Sequence, residues 1–318
     1  MKKFVHTKTF DETSFMLYLQ PAIDSNQYTN GGSTVELLER TARNILEICD
    51  SKAVIAVVNG SAALNAIING IAVVENIYPR VITQDFTFYP AFQGECRNPI
   101  IVDFNSDINL PHVIDLMNLK QGNILLVTNC FGHVQELDTI LAAAKANNLR
   151  VIFDNAATPY SFYKGINSCN YGNASFVSLH HTKPIGFGEG GLAIVDRKYE
   201  KAVRAAIAFG LVNGKGTKYG SNYKMSEISA SAILQWWTNF SITAMAQEYV
   251  DNYEDYQEPF KMTHYGDRDK WFPSCMPAIS NHYIESTNPE VKKYYTPLKG
   301  LPHSQTLYNN ILCFPLGH

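Results

Sequence analysis

Short, apolar, β-branched runs punctuate the chain between residues 53 and 195: AVIAVV (53–58), RVIT (80–83), PIIVD (99–103), NILLVT (123–128), RVIFD (150–154), SFVSLH (175–180) and GLAIV (191–195). Between them, SAALNAIINGIAVVENI (61–77) and ELDTILAAAKANN (136–148) repeat apolar residues at helical spacing. Strands that are apolar nearly throughout have no polar face to turn to water. They therefore belong in a sheet covered on both faces, and their alternation with helices predicts an α/β fold with a mostly parallel sheet. The functional loops of such a sheet follow the carboxyl ends of its strands.

From about residue 198 the pattern turns helical through YEKAVRAAIAFG, and MSEISASAILQWWTNFSITAMAQEYVDNY (225–253) is long enough for several turns. After Tyr253 the chain becomes aromatic, proline-containing and irregular until YYTPL (294–298) and ILCFP (311–315). This shift divides the chain into a large domain over 1–250 and a small appended one over 251–318, with N-terminal residues packing elsewhere than on the large domain. The sequence contains neither internal repeats nor low-complexity tracts.

Composition supports a globular reading and removes several partners. With 318 residues, 46% hydrophobic and 17% charged, the chain can bury a substantial core. A net charge of -3 without any long Lys/Arg run gives no electrostatic basis for binding nucleic acid or acidic lipid. The start, MKKFVHTKTFDETSF, turns polar after two lysines and lacks the apolar stretch of a secretory signal, and no window approaches the roughly 18 apolar residues of a membrane span. The expected location is the cytoplasm. Six cysteines stand singly with no CxxC pair, which fits reduced thiols rather than disulfides or zinc.

Three places carry candidate chemistry. In AVIAVVNGSAAL a strand runs into Asn59, Gly60, Ser61 and Ala62 and then a helix. Free N–H groups and the positive end of the helix dipole at such a turn suit a phosphate, although an ordinary helix cap looks the same in sequence. Neither GxGxxG nor a P-loop is present. Asp154 ends RVIFD ahead of Asn155, Ala156 and Ala157, near the carboxyl edge of the sheet, where its charge calls for a cationic or hydrogen-bonding partner. A protonated pyridine nitrogen is one such partner; a metal ion and a simple helix-capping role are the rivals. In SFVSLHHTKPIGFGEGGLAIV a strand ends at Ser178, Lys183 follows in a loop, and Gly186, Gly188, Gly190 and Gly191 lead into the next strand. A lysine enclosed in this way can lose its proton and form an imine. The neighbouring His180 and His181, if on a strand, point to opposite faces, which argues against a metal pair. A phosphate cradle, then an Asp, then a Lys is the order that a fold-type-I pyridoxal-phosphate enzyme requires.

At these residues the chain resembles the DegT/DnrJ/EryC1/StrS sugar aminotransferases. The likeness runs through QYTNGGSTVELLE (27–39), NGSAAL (59–64), DFTFYPAF (85–92), FGHVQELD (131–138), FDNAAT (153–158), SLHHTKPIGFGEGG (178–191) and YGSNYKMSEISASA (219–232), about two thirds of the chain in collinear order. The resemblance implies a pyridoxal 5'-phosphate (PLP) transferase of fold type I, with a large domain and a shortened small α+β one. It implies that Gly60, Ser61 and Ala62 cradle the cofactor phosphate with help from Ser178, and that Phe88 stacks on the pyridine ring. Asp154 would pair with the ring nitrogen, and Lys183 would hold the cofactor as a Schiff base. Asn222 would reach the phosphate of a neighbouring subunit, which implies a homodimer with shared active sites. The implied reaction moves an amino group from glutamate, through pyridoxamine phosphate and with release of 2-oxoglutarate, to a nucleotide-linked 4-keto-6-deoxy sugar. Such amino sugars serve cell-surface polysaccharide or related glycan synthesis.

Amination at C3 is the alternative within that family, and a catalytically silent or regulatory relative is the alternative outside it. A dehydratase variant, in which His replaces the lysine, does not suit a chain that carries Lys183. The chain departs from the family pattern at Ala157, where Gln or His is usual, at Gly32-Ser33, where Gly-Pro is common, and in the short region after Tyr253.

Overall fold

The computed structural model describes residues 2–103, 122–211, 215–256 and 264–318. Helices α1 (Glu12–Ser25) and α2 (Ser33–Ile45) precede β1 (Lys52–Val57), α3 (Gly60–Glu75), β2 (Val81–Gln84) and β3 (Ile100–Val102). Then follow β4 (Ile124–Thr128), α4 (Leu137–Ala146), β5 (Arg150–Asp154), the short pair β6 (Phe162–Tyr163) and β7 (Ile166–Asn167), β8 (Ala174–Ser178), β9 (Gly191–Asp196) and α5 (Arg197–Ile207). The remainder is helical through α6 (Glu227–Thr238) and α7 (Ile242–Glu254), and closes with β10 (Met276–Ile279), α8 (Pro302–Asn310) and β11 (Ile311–Phe314).

Each of the seven apolar runs forms a strand of one seven-stranded sheet, in the order β1-β9-β8-β5-β4-β2-β3. Only β9 runs against its neighbours β1 and β8; the other pairs are parallel. Both faces are covered, as apolar strands require. Ala53, Ile55 and Val57 pack with α3 and α5 on one side, while Val54 and Ala56 pack with α2 and α6 on the other.

The helical stretch 225–253 is not continuous. Helix α6 ends at Thr238, and Ser241 opens α7 by accepting from the Ala244 N–H at 3.3 Å. A serine that caps a new helix outcompetes continuation of the old one. The boundary read at residue 250 falls inside α7. Beyond it, Trp271, Phe272 and Met276 join the core formed by α2, α6 and α7, and β10 pairs with β11. At the other end of the chain, Lys3 exchanges backbone hydrogen bonds with Gly317 at 2.6 and 3.1 Å.

One buried carboxylate joins the N-terminal helices to this core. Helix α2 starts at Ser33 behind Gly32, which has no side chain to cap it. Glu227 of α6 fills that role, accepting from the N–H groups of Gly32 (2.8 Å), Thr34 (2.9 Å) and Val35 (3.3 Å). A Cβ on residue 32 would come within 2.8 Å of the Glu227 carboxyl carbon, so a larger residue there would push the carboxylate aside. Ser33 occupies the first helical position, where proline is favoured but a missing N–H is not essential. Glu227→Ala should leave three donors, two of them buried, without an acceptor and lower unfolding free energy by about 2–4 kcal/mol. Urea unfolding would show the shift in midpoint, and Glu227→Gln should lose less.

Candidate active site

The carboxyl ends of β1, β4, β5 and β8 meet at one edge of the sheet. There the register places Thr128 beside Asp154 and Asp154 beside Phe176. A cavity of about 480 Å³ opens at this edge, and Gly60, Ser61, Phe88, Asp154, Ser178 and Lys183 all line it. Residues distant in sequence thus reach one site because each follows a strand of the same sheet.

The turn between β1 and α3 is capped by Asn59, the residue that opens the NGSAAL motif. Asn59 is extended, and its Oδ1 caps α3 by accepting from the Ala62 N–H at 2.9 Å. An Asn followed by Gly at a helix start is itself a capping signal. The N–H groups of Gly60 and Ser61, in the first turn, have no acceptor within the helix and lie at the cavity. Ala62 is buried behind them with its N–H already engaged, so it stands outside the cavity. Ser178 is packed directly against Gly60, with its Cβ 3.3 Å from where a Gly60 side chain would begin. Gly191 lets β9 pass this turn, since a Cβ there would lie 2.4 Å from the Asn59 carbonyl carbon.

Asp154 is buried at the end of β5. One carboxylate oxygen accepts from the Ala156 N–H at 2.9 Å, and the other meets Thr128 Oγ1 only at 3.5 Å. Thr128 in turn lies 2.6 Å from Thr87 Oγ1. Loss of water pushes the Asp154 carboxyl up to about 6, against the opposing pull of the Ala156 N–H and the Lys183 charge. Lys183 is partly exposed only because it faces the cavity; protein surrounds it, and the same desolvation draws its amine below the ordinary lysine value, with Asp154 opposing.

The family's sequence model matches residues 10–268, described as the DegT/DnrJ/EryC1/StrS aminotransferase family. The chain belongs to that family. It is 26% identical over 225 residues to a dTDP-4-amino-4,6-dideoxy-D-glucose transaminase of Shigella dysenteriae, covering 68% of this chain and 59% of that protein. It is 24% identical over 232 residues to a GDP-perosamine synthase of Escherichia coli O157:H7, covering 67% and 60%. The match thus spans about 60% of the length of these relatives. In fold it is similar to DesI, solved in the presence of its TDP-sugar product, with a TM-score of 0.83 at 19% identity over 99% of this chain and 88% of that one. Spr1654 of Streptococcus pneumoniae, assigned as a sugar aminotransferase and solved in a PLP form, gives a TM-score of 0.79 at 17% identity over 99% and 93%. The architecture is therefore that of the PLP-dependent aminotransferases of this family.

Among the family features, the remaining candidates fall on both sides of the cavity wall. Phe88 is 51% exposed, too open for a core aromatic, and its exposed ring borders the cavity. Ala157 lines the cavity too, so the departure there replaces a polar contact by a methyl group. Asn222 is exposed, bridges Ala208 through its backbone and stands outside this cavity. His180 and His181 follow the end of β8 rather than lying on it, so strand alternation does not separate them. His180 instead meets Thr182 at 2.8 Å and Glu189 at 3.4 Å. Among the described residues no cluster of three or more metal-ligating side chains occurs.

The motif reading also missed wall residues from the irregular tail. Tyr295 lines the cavity and stacks on Phe131 with ring centroids 5.1 Å apart and planes 2° apart. Nothing in YYTPL alone distinguishes a ring at the site from a strand residue. His133, by contrast, belongs to the family motif FGHVQELD but is buried against Tyr253 and Trp271, away from the cavity.

The donor set fits PLP. Asp154 keeps acceptor capacity toward the cavity, the first-turn N–H groups and the Ser178 hydroxyl suit a phosphate, and Lys183 offers an amine of lowered basicity. The raised carboxyl pKa has a consequence in cofactor-free protein. Folding with a pKa of about 6 rather than 3.8 means that the folded state binds the proton more tightly, so this group's contribution to stability falls as pH rises through that window. Asp154→Asn removes the buried charge. It should raise stability at neutral pH by up to about 3 kcal/mol and change little near pH 4, as pH-dependent urea unfolding would show.

Proposed function

We propose that this chain is a PLP-dependent aminotransferase that transfers the amino group of glutamate to C4 of a nucleotide-linked 4-keto-6-deoxy sugar, as one step of cell-surface or related glycan synthesis. The observation that carries the reading is the meeting of a buried lysine amine, a buried carboxylate and an open helix N-terminus in one cavity. The curated relatives support a nucleotide-sugar acceptor, and the name of the Shigella protein places its amine at C4. Because one relative is named for dTDP and another for GDP, the nucleotide stays open.

When bound, PLP supplies an electrophilic carbon for amines and a ring that stores electron density. The chain does the rest. Gly60 and Ser61 donate backbone N–H groups to the phosphate, with the Ser178 hydroxyl beside them. Asp154 holds a proton on the ring nitrogen, which is the form that withdraws electrons best; its own buried charge makes that pairing favourable. Phe88 covers one face of the ring. Lys183 Nζ would hold the cofactor and, once freed by a donor amine, would serve as the base and acid that moves a proton at the reacting carbons. Burial suits this role, because a less basic amine is free to accept that proton. Asn222 would serve the phosphate of a second subunit in a homodimer, a reading that its exposure on its own subunit supports.

Borohydride reduction followed by peptide mass spectrometry should find the cofactor on Lys183, and Lys183→Ala should abolish both the adduct and turnover. An adduct elsewhere, or none, rejects the proposal. Glutamate should convert the visible spectrum to that of the pyridoxamine form; a protein that keeps the adduct but ignores amino donors is a silent relative. A panel of 3-keto and 4-keto sugars on uridine, thymidine and guanosine diphosphates then identifies the acceptor. Mixing inactive Lys183→Ala with Asn222→Asp subunits should restore some turnover if the sites are shared, since one site of each mixed dimer regains both native residues.

A further inference from the structure

The loop that carries Lys183 is held from behind by a residue far away in sequence. Strand β8 stops at Ser178 and β9 starts at Gly191, and the connection 179–190 combines a few internal backbone hydrogen bonds with contacts from elsewhere in the chain. Lys8 Nζ donates to the carbonyls of His181 (2.5 Å), Lys183 (2.6 Å) and Gly186. From α6, Trp237 Nε1 donates to the Ile185 carbonyl at 2.7 Å and Trp236 Nε1 to that of Pro184 at 3.4 Å. Within 181–186, five carbonyls are thus engaged by one ammonium and two indoles.

We propose that Lys8 is a positioning residue for Lys183: its ammonium gathers three carbonyls of the loop, one of them that of Lys183 itself, and so fixes where the lysine side chain enters the cavity. The role assigned to Lys183 rests on the function proposed above; the hold of Lys8 on the loop does not. Only the charged form has three N–H groups to give, because a neutral amine would turn a lone pair toward one carbonyl. Burial draws the Lys8 amine down to about 7, while the three acceptors favour the ammonium. A proton is therefore easily lost here near neutral pH, and its loss breaks one of the three contacts.

Two imidazoles also face Lys8. Burial lowers His6 on the same segment, with Glu248 opposing and the Lys8 charge adding to it, and burial followed by Lys8 lowers His181 on the loop. Glu248 of α7 and His318, both felt by His6, lie 3.4 Å from one another. Trp236 presents its ring to the Lys8 ammonium at 5.7 Å and carries no proton that titrates there. Lys183 itself is on the cavity side of the loop.

Amide hydrogen exchange reads the loop directly. The N–H groups of His181, Lys183 and Gly186 are each hydrogen-bonded within it and report its order. In wild-type protein without cofactor, their protection factors should fall as pH rises through neutrality. Lys8→Met, which keeps the apolar stem and removes the charge, should lose about tenfold or more of that protection at neutral pH and show no further fall with pH. Lys8→Arg, charged at every pH, should keep protection closer to wild type and remove the pH dependence. In cofactor-loaded protein, Lys8→Met should also shift the pH dependence of the visible absorbance. Wild-type protection that does not change with pH overturns the inference whether or not the variants fold, and so does a folded Lys8→Met with unchanged protection. If wild type takes no cofactor on Lys183, the functional proposal fails and the exchange result still decides the role of Lys8 in the loop.

Discussion

The site depends on the register of β5 between β4 and β8. Thr128, Asp154 and Phe176 stand side by side because three parallel strands are aligned at their carboxyl ends. A slip of one residue would turn Asp154 to the opposite face of the sheet and leave a charge among apolar side chains. The apolar contents of both faces prevent that slip. Everything else at the cavity is placed relative to this row: the α3 turn beside Ser178, the Lys183 loop beyond β8, and Tyr295 stacked on Phe131 at the end of β4's connection.

Electrostatics makes the row reactive. Asp154 and Lys183 both lose water, and each is pushed toward its neutral form while the other's charge pulls back. Neither is neutralised by a direct ion pair among the described salt bridges, so both remain available to a ligand that enters the cavity. A cationic ring nitrogen meets one need and an electrophilic carbon the other. A site tuned in this way holds its cofactor by completing charges that the fold has left partly unmatched.

The sheet was legible because its strands are apolar on both faces, and Asp154 and Lys183 because each interrupts or follows such a strand. Less local features were not. The pattern gives no sign of α1, which carries Pro21 and buries little beyond Ala22. The break between α6 and α7 is invisible to periodicity because only the Ser241 cap marks it. Glu227, Lys8 and Tyr295 owe their roles to partners far away in sequence, so residue type and spacing carry no trace of them. Ala62 and Asn222 illustrate the opposite limit. A motif aligns them with a site, yet Ala62 lies behind Asn59's cap, and Asn222 faces solvent in the single chain, where its expected partner would be a second subunit.

Strand β9 is the sheet's one reversed member, and it follows β8 directly in the chain. The lysine consequently sits on a hairpin connection, whereas Gly60 and Asp154 lie where strands lead into long crossovers. Closing a hairpin costs little chain entropy, and here the connection is tied back to α6 and to Lys8 through its carbonyls. The reacting amine is thus carried between two neighbouring strands on a connection without a crossover helix, and the few distant side chains that grip its carbonyls set its shape. Reactivity can be retuned there while the cradle and the carboxylate stay anchored in the parallel part of the sheet.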